Sequence, residues 1–302
     1  MQPPLPCPTA TWHNDTYKAI EPTQDGLSQE GKTIIITGAG TGIGQQTALS
    51  FAKASAAHLV LIGRTLSTLS ATKDLVSATN ASTKISVYTA SVTDRNAMRK
   101  IADEVGAWHV LVLGAASIPP PGPLGSDNLD KYWEAYEVNV KSVIQITQLF
   151  LPTAAPPPSD SNPGAIIYAM GAGGFAFGAK ITATLSAYLV SKIAQTKLIE
   201  YIAAENPGVA AITVHPGMVD TAVFRGAGAD PAKLPMDTAN LAADFLVWCS
   251  RSSGDGKRPC QFLNGKMVFA NWDVEELEAM AERIQSDEAF LTIGLGGWPF
   301  AA

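Results

Sequence analysis

Charge is scarce in this chain. Lys, Arg, Asp and Glu make up 16% of its 302 residues, against roughly 25% in an ordinary globular protein. The net charge is −6, so there is no basic field to hold nucleic acid. Long apolar runs are missing as well. None approaches the roughly 18 residues that span a bilayer, and no membrane association is expected. Cysteine is sparse: Cys7, Cys249 and Cys260 form no C-x-x-C pair, so neither a disulfide framework nor a metal site is expected. The opening Met1-Gln2-Pro3-Pro4-Leu5-Pro6 has no basic stretch and no apolar one, which excludes a recognisable secretory signal. Hydrophobic residues reach 46%, so disorder is excluded for most of the chain. The expectation is a soluble, cytoplasmic, mildly acidic globule.

Residues 1–30 hold Pro3, Pro4, Pro6, Pro8 and Pro22 without an amphipathic period. They read as an arm, extended or draped over the body. Residues 31–302 then alternate apolar strands with helices. Strands are expected at 32–37, 58–62, 85–89, 110–113, 165–169, 211–215 and 267–270. Helices are expected at 42–55, 67–78, 94–105, 129–151, 186–205, 238–250 and 274–284. Near-continuous apolar strands separated by helices predict α/β architecture: one doubly wound parallel sheet of the Rossmann type, covered on both faces. Residues 155–162, with three prolines followed by Ser and Asp, read as a surface loop. Residues 220–237, rich in Gly, Ala and Pro, read as a lid.

The first strand runs directly into Gly38-Ala39-Gly40-Thr41-Gly42-Ile43-Gly44, with a helix next. Glycines let backbone approach a pyrophosphate closely, and a helix N-terminus supplies unpaired N–H groups and positive dipole. The second strand ends at Ile62-Gly63-Arg64. An acid there would take the ribose 2′-hydroxyl of NAD, whereas arginine pairs with the 2′-phosphate of NADP. Arg64 therefore favours NADP(H) over NAD(H); otherwise it is a solvated turn arginine.

Tyr188 and Lys192 lie four apart on a predicted helix, hence on one face. A phenol near pKa 10 is a poor acid or base at neutral pH, and a neighbouring ammonium is expected to draw it down. Alone, such a pair reads as a packed tyrosine beside a surface lysine. Together with Thr37-Gly38-x-x-x-Gly42-x-Gly44, Val138-Asn139-Val140 and His215-Pro216-Gly217-Met218-Val219-Asp220-Thr221, it makes the chain resemble the short-chain dehydrogenase/reductase family over about residues 30–270. The arm and the segment Asn271-Trp272-Asp273-Val274-Glu275 look like those of fungal members, many of which act in specialised metabolism.

That resemblance implies roles. Tyr188 would exchange a proton with substrate oxygen. Lys192 would hold the nicotinamide ribose and lower the tyrosine pKa. Asn139 would hold a water linking Lys192 to solvent. Gly38, Thr41, Ile43 and Ala115 would run beside the dinucleotide, with Pro216, Gly217, Val219 and Thr221 bordering its nicotinamide. His215 reads as a hydrogen-bonded strand-end residue. Three positions depart from the family pattern. Met170-Gly171 stands where a Ser-Ser pair is often found, so the serine that polarises the substrate carbonyl is missing; Thr182, Thr184 or Ser186 are candidates to replace it, although Ser186 is expected to cap its helix. Leu113-Gly114-Ala115-Ala116 replaces Asn-Asn-Ala-Gly. Ser91 replaces an aspartate near the adenine, leaving Asp94 to cap the next helix.

The implied function is hydride transfer to or from a carbonyl, alcohol or imine of a hydrophobic small molecule. The alternative is a non-redox isomerase or cyclase that retains nucleotide. Val223, Phe224 and Leu234 in the lid, with Phe175 and Phe177 opposite, favour an apolar ligand over a sugar. A homodimer or homotetramer is expected through helices 129–151 and 186–205, carrying Val143, Ile146 and Leu149 on one and Ile193, Leu198 and Ile202 on the other.

Overall fold

The computed structural model describes residues 7–126, 129–158, 163–252 and 259–295. Seven parallel strands form one sheet in the order β3-β2-β1-β4-β5-β6-β7: β1 Thr33–Thr37, β2 His58–Gly63, β3 Lys84–Thr89, β4 Val110–Leu113, β5 Ala165–Met170, β6 Val209–His215 and β7 Met267–Phe269. The β-branched core of β1 shows why the sheet needs cover on both faces. Ile34 and Ile36 enter one apolar layer and Ile35 the opposite one, each fully buried. Burying a side chain of that size contributes about 1.5–3 kcal/mol.

Helices α1 (Gly42–Lys53), α2 (Leu66–Thr79) and α3 (Arg95–Val105) follow β1, β2 and β3. Asp94 accepts from the backbone N–H groups of Asn96 and Ala97, so the expected cap is in place. The expected single helix over 129–151 is instead α4 (Leu129–Tyr136), a π turn (Glu137–Lys141) and α5 (Ser142–Phe150). The wider turn coincides with Asn139, a buried amide in the otherwise helical run. Next come α6 (Ser186–Glu205), the short α7 (Ala222–Gly226), α8 (Ala239–Cys249), α9 (Val274–Ala279) and α10 (Ala281–Ser286). Non-helical backbone at Met280 divides the last pair, so the expected helix over 274–284 is two. Among the described residues no helix is long and apolar enough to cross a membrane, and the three cysteines are free thiols.

Four of the six residues expected to pair subunits face the sheet, while Ile193 and Leu198 are half-buried. Val143, Ile146, Leu149 and Ile202 are buried under the sheet, because the same apolar stripe that suggests an interface is needed to cover β4 and β5. The exposed apolar side chains on these helices are others: Leu129, Trp133, Ile144, Val190 and Tyr201.

Residues 7–31 run from the segment after β7, across α9 and α8, to the end of α1. The arm's Trp12 bridges Trp272 in antiparallel fashion, and Ile20 and Leu27 enter the core. Pro3, Pro4, Pro6 and residues 159–162 of the expected surface loop lie outside the described residues.

Candidate active site

Chain order and spatial order diverge at β1: β2 lies on one side and β4 on the other. Ligands of open α/β sheets bind at such a switch, beyond the carboxyl ends of the strands. A cleft of about 1040 Å³ opens there.

The glycine loop forms its floor. Gly38 has φ +73°, and a Cβ on it would lie 3.0 Å from the Ala115 backbone nitrogen. Gly42 has φ +54°, and its Cβ would touch Thr221 Cγ2 at 3.0 Å. A Cβ on Gly44 would collide with the Gly38 carbonyl. Thr41 precedes α1 in extended conformation, yet no side chain caps the helix. Its first N–H groups therefore stay available to an anion. Gly38, Thr41, Gly42, Ile43, Gly44 and Ala115 all line the cleft, as do Arg64 and Ser91 at its other end. Arg64 is exposed, with no carboxylate in its vicinity to occupy it among the described ion pairs. Backbone amides and a bare helix start together fit the pyrophosphate of a dinucleotide.

Pro216, Gly217, Val219 and Thr221 border the same cleft. Gly217, at φ +87°, has no room for a Cβ beside the Asp237 carboxylate. Asp237 accepts from the Met218 N–H at 2.7 Å and from Asn14, and desolvation raises its pKa. Val219 and Asp237 form a parallel bridge, so the two ends of the expected lid are tied together. Of the apolar candidates, Val223, Phe224 and Phe177 line the cleft. Leu234 does not and is exposed. The Phe175 side chain lies outside the described residues.

Tyr188 and Lys192 both reach the cleft from α6. Lys192 Nζ donates to the Met170 carbonyl and to Gln195 Oε1, each at 2.8 Å, and lies 5.8 Å from the Tyr188 ring centre. Burial pulls Lys192 down to about 7 and pushes Tyr188 up to about 12. The expected lowering of the tyrosine pKa is thus absent. Lys192 is fully buried and Tyr188 half-buried, and the lysine's bonds go to neutral oxygens, so neither charged form is well solvated.

Asn139 is buried and its side chain is fully committed. It accepts from the Ser117 N–H and donates to the Ser117 carbonyl and to Ser191 Oγ, each at 2.9 Å. The amide joins the loop after β4 to α6. Ser117 itself lines the cleft, a residue missed because nothing in its neighbours marks it. Gln195, three residues after Lys192, was legible only as a helix neighbour. Trp12, Asn14, Asp237, Phe269 and Trp272 also border the cleft and carry no motif.

The hydroxyl at the end of β5 is absent. Gly171 continues the ladder by donating to the Val214 carbonyl, and a Cβ there would meet Thr213 Cγ2 at 2.7 Å. None of the proposed substitutes lines the cleft. Ser186 is the first residue of α6 rather than its cap, and its Oγ is buried without a partner. His215 behaves as expected. Its Nδ1 accepts from the Gly173 N–H at 3.0 Å, and desolvation pulls it down to about 4, so the ring is neutral.

Comparison with known proteins agrees with this geometry. The family model described as short chain dehydrogenase matches residues 32–232. A short chain dehydrogenase/reductase of Claviceps purpurea is 34% identical over 296 residues, covering 96% of this chain and 95% of its own. Another, from Aspergillus aculeatus, is 31% identical over 291 residues, 95% of this chain and 96% of that one. Among solved structures, a 7α-hydroxysteroid dehydrogenase complexed with NADH matches with a TM-score of 0.69 at 20% identity, covering 82% of this chain and 95% of that one. A structure described as an NAD(P)-dependent gluconate 5-dehydrogenase from Beutenbergia cavernae, with NADP bound at low occupancy, matches with a TM-score of 0.67 at 22% identity, over 82% of this chain and 97% of that one. By its glycine loop, its Tyr188–Lys192 pair and these matches, the chain belongs to the short-chain dehydrogenase/reductase family, oxidoreductases built on a nicotinamide-dinucleotide fold.

Proposed function

We propose that this chain is an NADP(H)-dependent reductase of a carbonyl or imine on a hydrophobic small molecule, acting in cytoplasmic specialised metabolism, and reversibly on the corresponding alcohol. The observation that carries the reading is Tyr188 beside Lys192 in a cleft whose other end offers the Arg64 guanidinium. When bound, the nicotinamide supplies the hydride.

With its pKa near 12, Tyr188 keeps its proton at neutral pH and is poised to give it to the substrate oxygen as that oxygen gains charge. In its protonated form, favoured below about pH 7, Lys192 has one donor beyond the two taken by Met170 and Gln195, and that one is left for a hydroxyl in the cleft. Asn139 keeps the β4 loop at a fixed height over α6. The apolar lid face of Val223 and Phe224 excludes water.

The missing hydroxyl at Gly171 favours a second reading. Loss of one donor to a developing oxyanion costs about 10²–10³ in rate, so a substrate that needs no such donor, or a non-redox isomerisation or cyclisation, suits this site better than a simple ketone does. Deuterium transfer from labelled NADPH separates the two. A reductase puts label in the product, and Tyr188→Phe lowers turnover by at least about 10². Product formed at full rate without label would overturn the reductase reading.

A further inference from the structure

Beyond His215 the cleft continues toward the β7 edge, where a wall rises from the two ends of the chain. Phe269 and Trp272 come from the C-terminal side, and Trp12 and Asn14 from the arm. Both groups lie outside residues 32–232, the part matched by the family model.

The wall is built rather than merely adjacent. His13 N–H donates to the Asn271 carbonyl, and Asn271 Nδ2 donates back to the His13 carbonyl, both at 2.8 Å. His13 Nε2 meets Asp273 Oδ2 at 2.8 Å, and the His13 ring stacks on Tyr17 at 3.5 Å. On one side of Trp12, Thr11 N–H donates to Glu276 at 3.1 Å. On the other, the Asn14 carbonyl accepts from Thr238 N–H at 2.9 Å. Trp12 is therefore fixed from both directions.

Its rings pack on one another in a single cluster. Phe269 stacks on Trp272 with centroids 5.0 Å apart and planes 3° from parallel. Trp12 and His215 meet Phe269 edge-to-face, at 6.4 and 4.5 Å. Aromatic pairs in these offset and edge geometries contribute about 0.5–1.5 kcal/mol beyond the area they bury, a gain that a saturated ring cannot collect. The same wall holds a donor and an acceptor in want of partners. Trp272 Nε1 and Asn271 Oδ1 are buried with none, and unsatisfied polar groups of this kind call for an explanation.

We propose that Trp12, Phe269 and Trp272 form a second subsite of the substrate cleft, which takes the planar aromatic ring of an oxygen-bearing substrate, with Trp12 as its specificity-determining residue. The inference rests on the reductase reading only for which end of the ligand reacts; binding itself needs no turnover.

Isothermal titration of the full chain with 1-tetralone and with 1-decalone tests it, since the two share a fused ten-carbon skeleton and one carbonyl and differ in the flat ring. The tetralone should bind at least tenfold more tightly. Trp12→Leu keeps apolar bulk without a ring and should abolish the preference, while Trp12→Phe should retain most of it. Equal binding of the two ketones by the parent protein overturns the proposal, and so does Trp12→Leu with its preference intact. A preference that persists while neither ketone is reduced leaves the subsite standing and counts only against the reductase reading.

Discussion

Lys192 is the residue whose environment sets the most measurable property of the ligand-free protein. Burial pulls it down to about 7 from the ordinary 10.5. Between those values the unfolded chain holds a proton that the folded chain lacks, so stability rises with pH across that window. Tyr188 works in the opposite sense, but only above about pH 10, where the unfolded phenol ionises and the folded one does not. Urea midpoints at pH 7 and 9.5 should therefore increase with pH in the parent and increase much less in Lys192→Met. Equal slopes would place the ammonium in water. Arg64 is the second residue with a clean readout. NADPH should bind at least tenfold more tightly than NADH, about 1.4 kcal/mol, and Arg64→Ala should erase most of that gap while sparing NADH. Equal affinities in the parent would defeat the assignment.

At the scale of elements, the end of β5 decides what can be engineered. Gly171 still follows the strand, donating to Val214, so a side chain there is directed across the ladder at Thr213, which is fully buried. Gly171→Ser alone should lower stability without restoring a useful hydroxyl, because its Cβ would stand 2.7 Å from Thr213 Cγ2. Removing that methyl with Thr213→Ser should recover most of the loss. If the single change is as stable as the parent, the β5 end has more freedom than the ladder allows. The π turn between α4 and α5 is the other element with consequences. It sets Asn139 against both Ser117 and Ser191, a double contact that joins the cofactor-side loop to the helix carrying Tyr188. Sequence showed Asn139 as a helix asparagine. The wider turn that aims it was not visible, because a single i→i+5 turn inside a helical run is too short to leave a period of its own.

For the whole molecule, the open question of assembly has a specific surface. Leu129 and Trp133 are 74% and 56% exposed, and Val190 and Tyr201 are 46% and 57% exposed. The first two lie on α4 and the last two on α6, helices that pack together. Scattered apolar residues need no partner, but large ones grouped on two packed helices do. Light scattering should give at least a dimer at micromolar concentration, and Trp133→Glu should shift it toward the monomer. A monomeric parent would show that this face stays in water. The two chain ends also matter at this scale, since the arm and the segment after β7 hydrogen-bond to each other and close one side of the cleft.

What the sequence determined by itself was everything encoded in local pattern. β-branched runs between amphipathic stretches require a parallel sheet. The spacing of Gly38, Gly42 and Gly44 requires a close backbone approach, and a four-residue interval puts Tyr188 and Lys192 on one face. These are properties of neighbours along the chain, so the architecture, the glycine loop, the Asp94 cap and the neutral role of His215 were legible. Tertiary structure decided the rest, because the partners lie far apart in sequence. Desolvation, not the lysine charge, governs the Tyr188 pKa. The sheet claims Val143 and Ile146 for its own cover, and leaves Trp133 outside. Asp237 meets Asn14 across more than two hundred residues, and Trp12 becomes a wall of the cleft only because the arm folds back on Asn271. No periodicity records such contacts; they exist only once the chain has closed on itself.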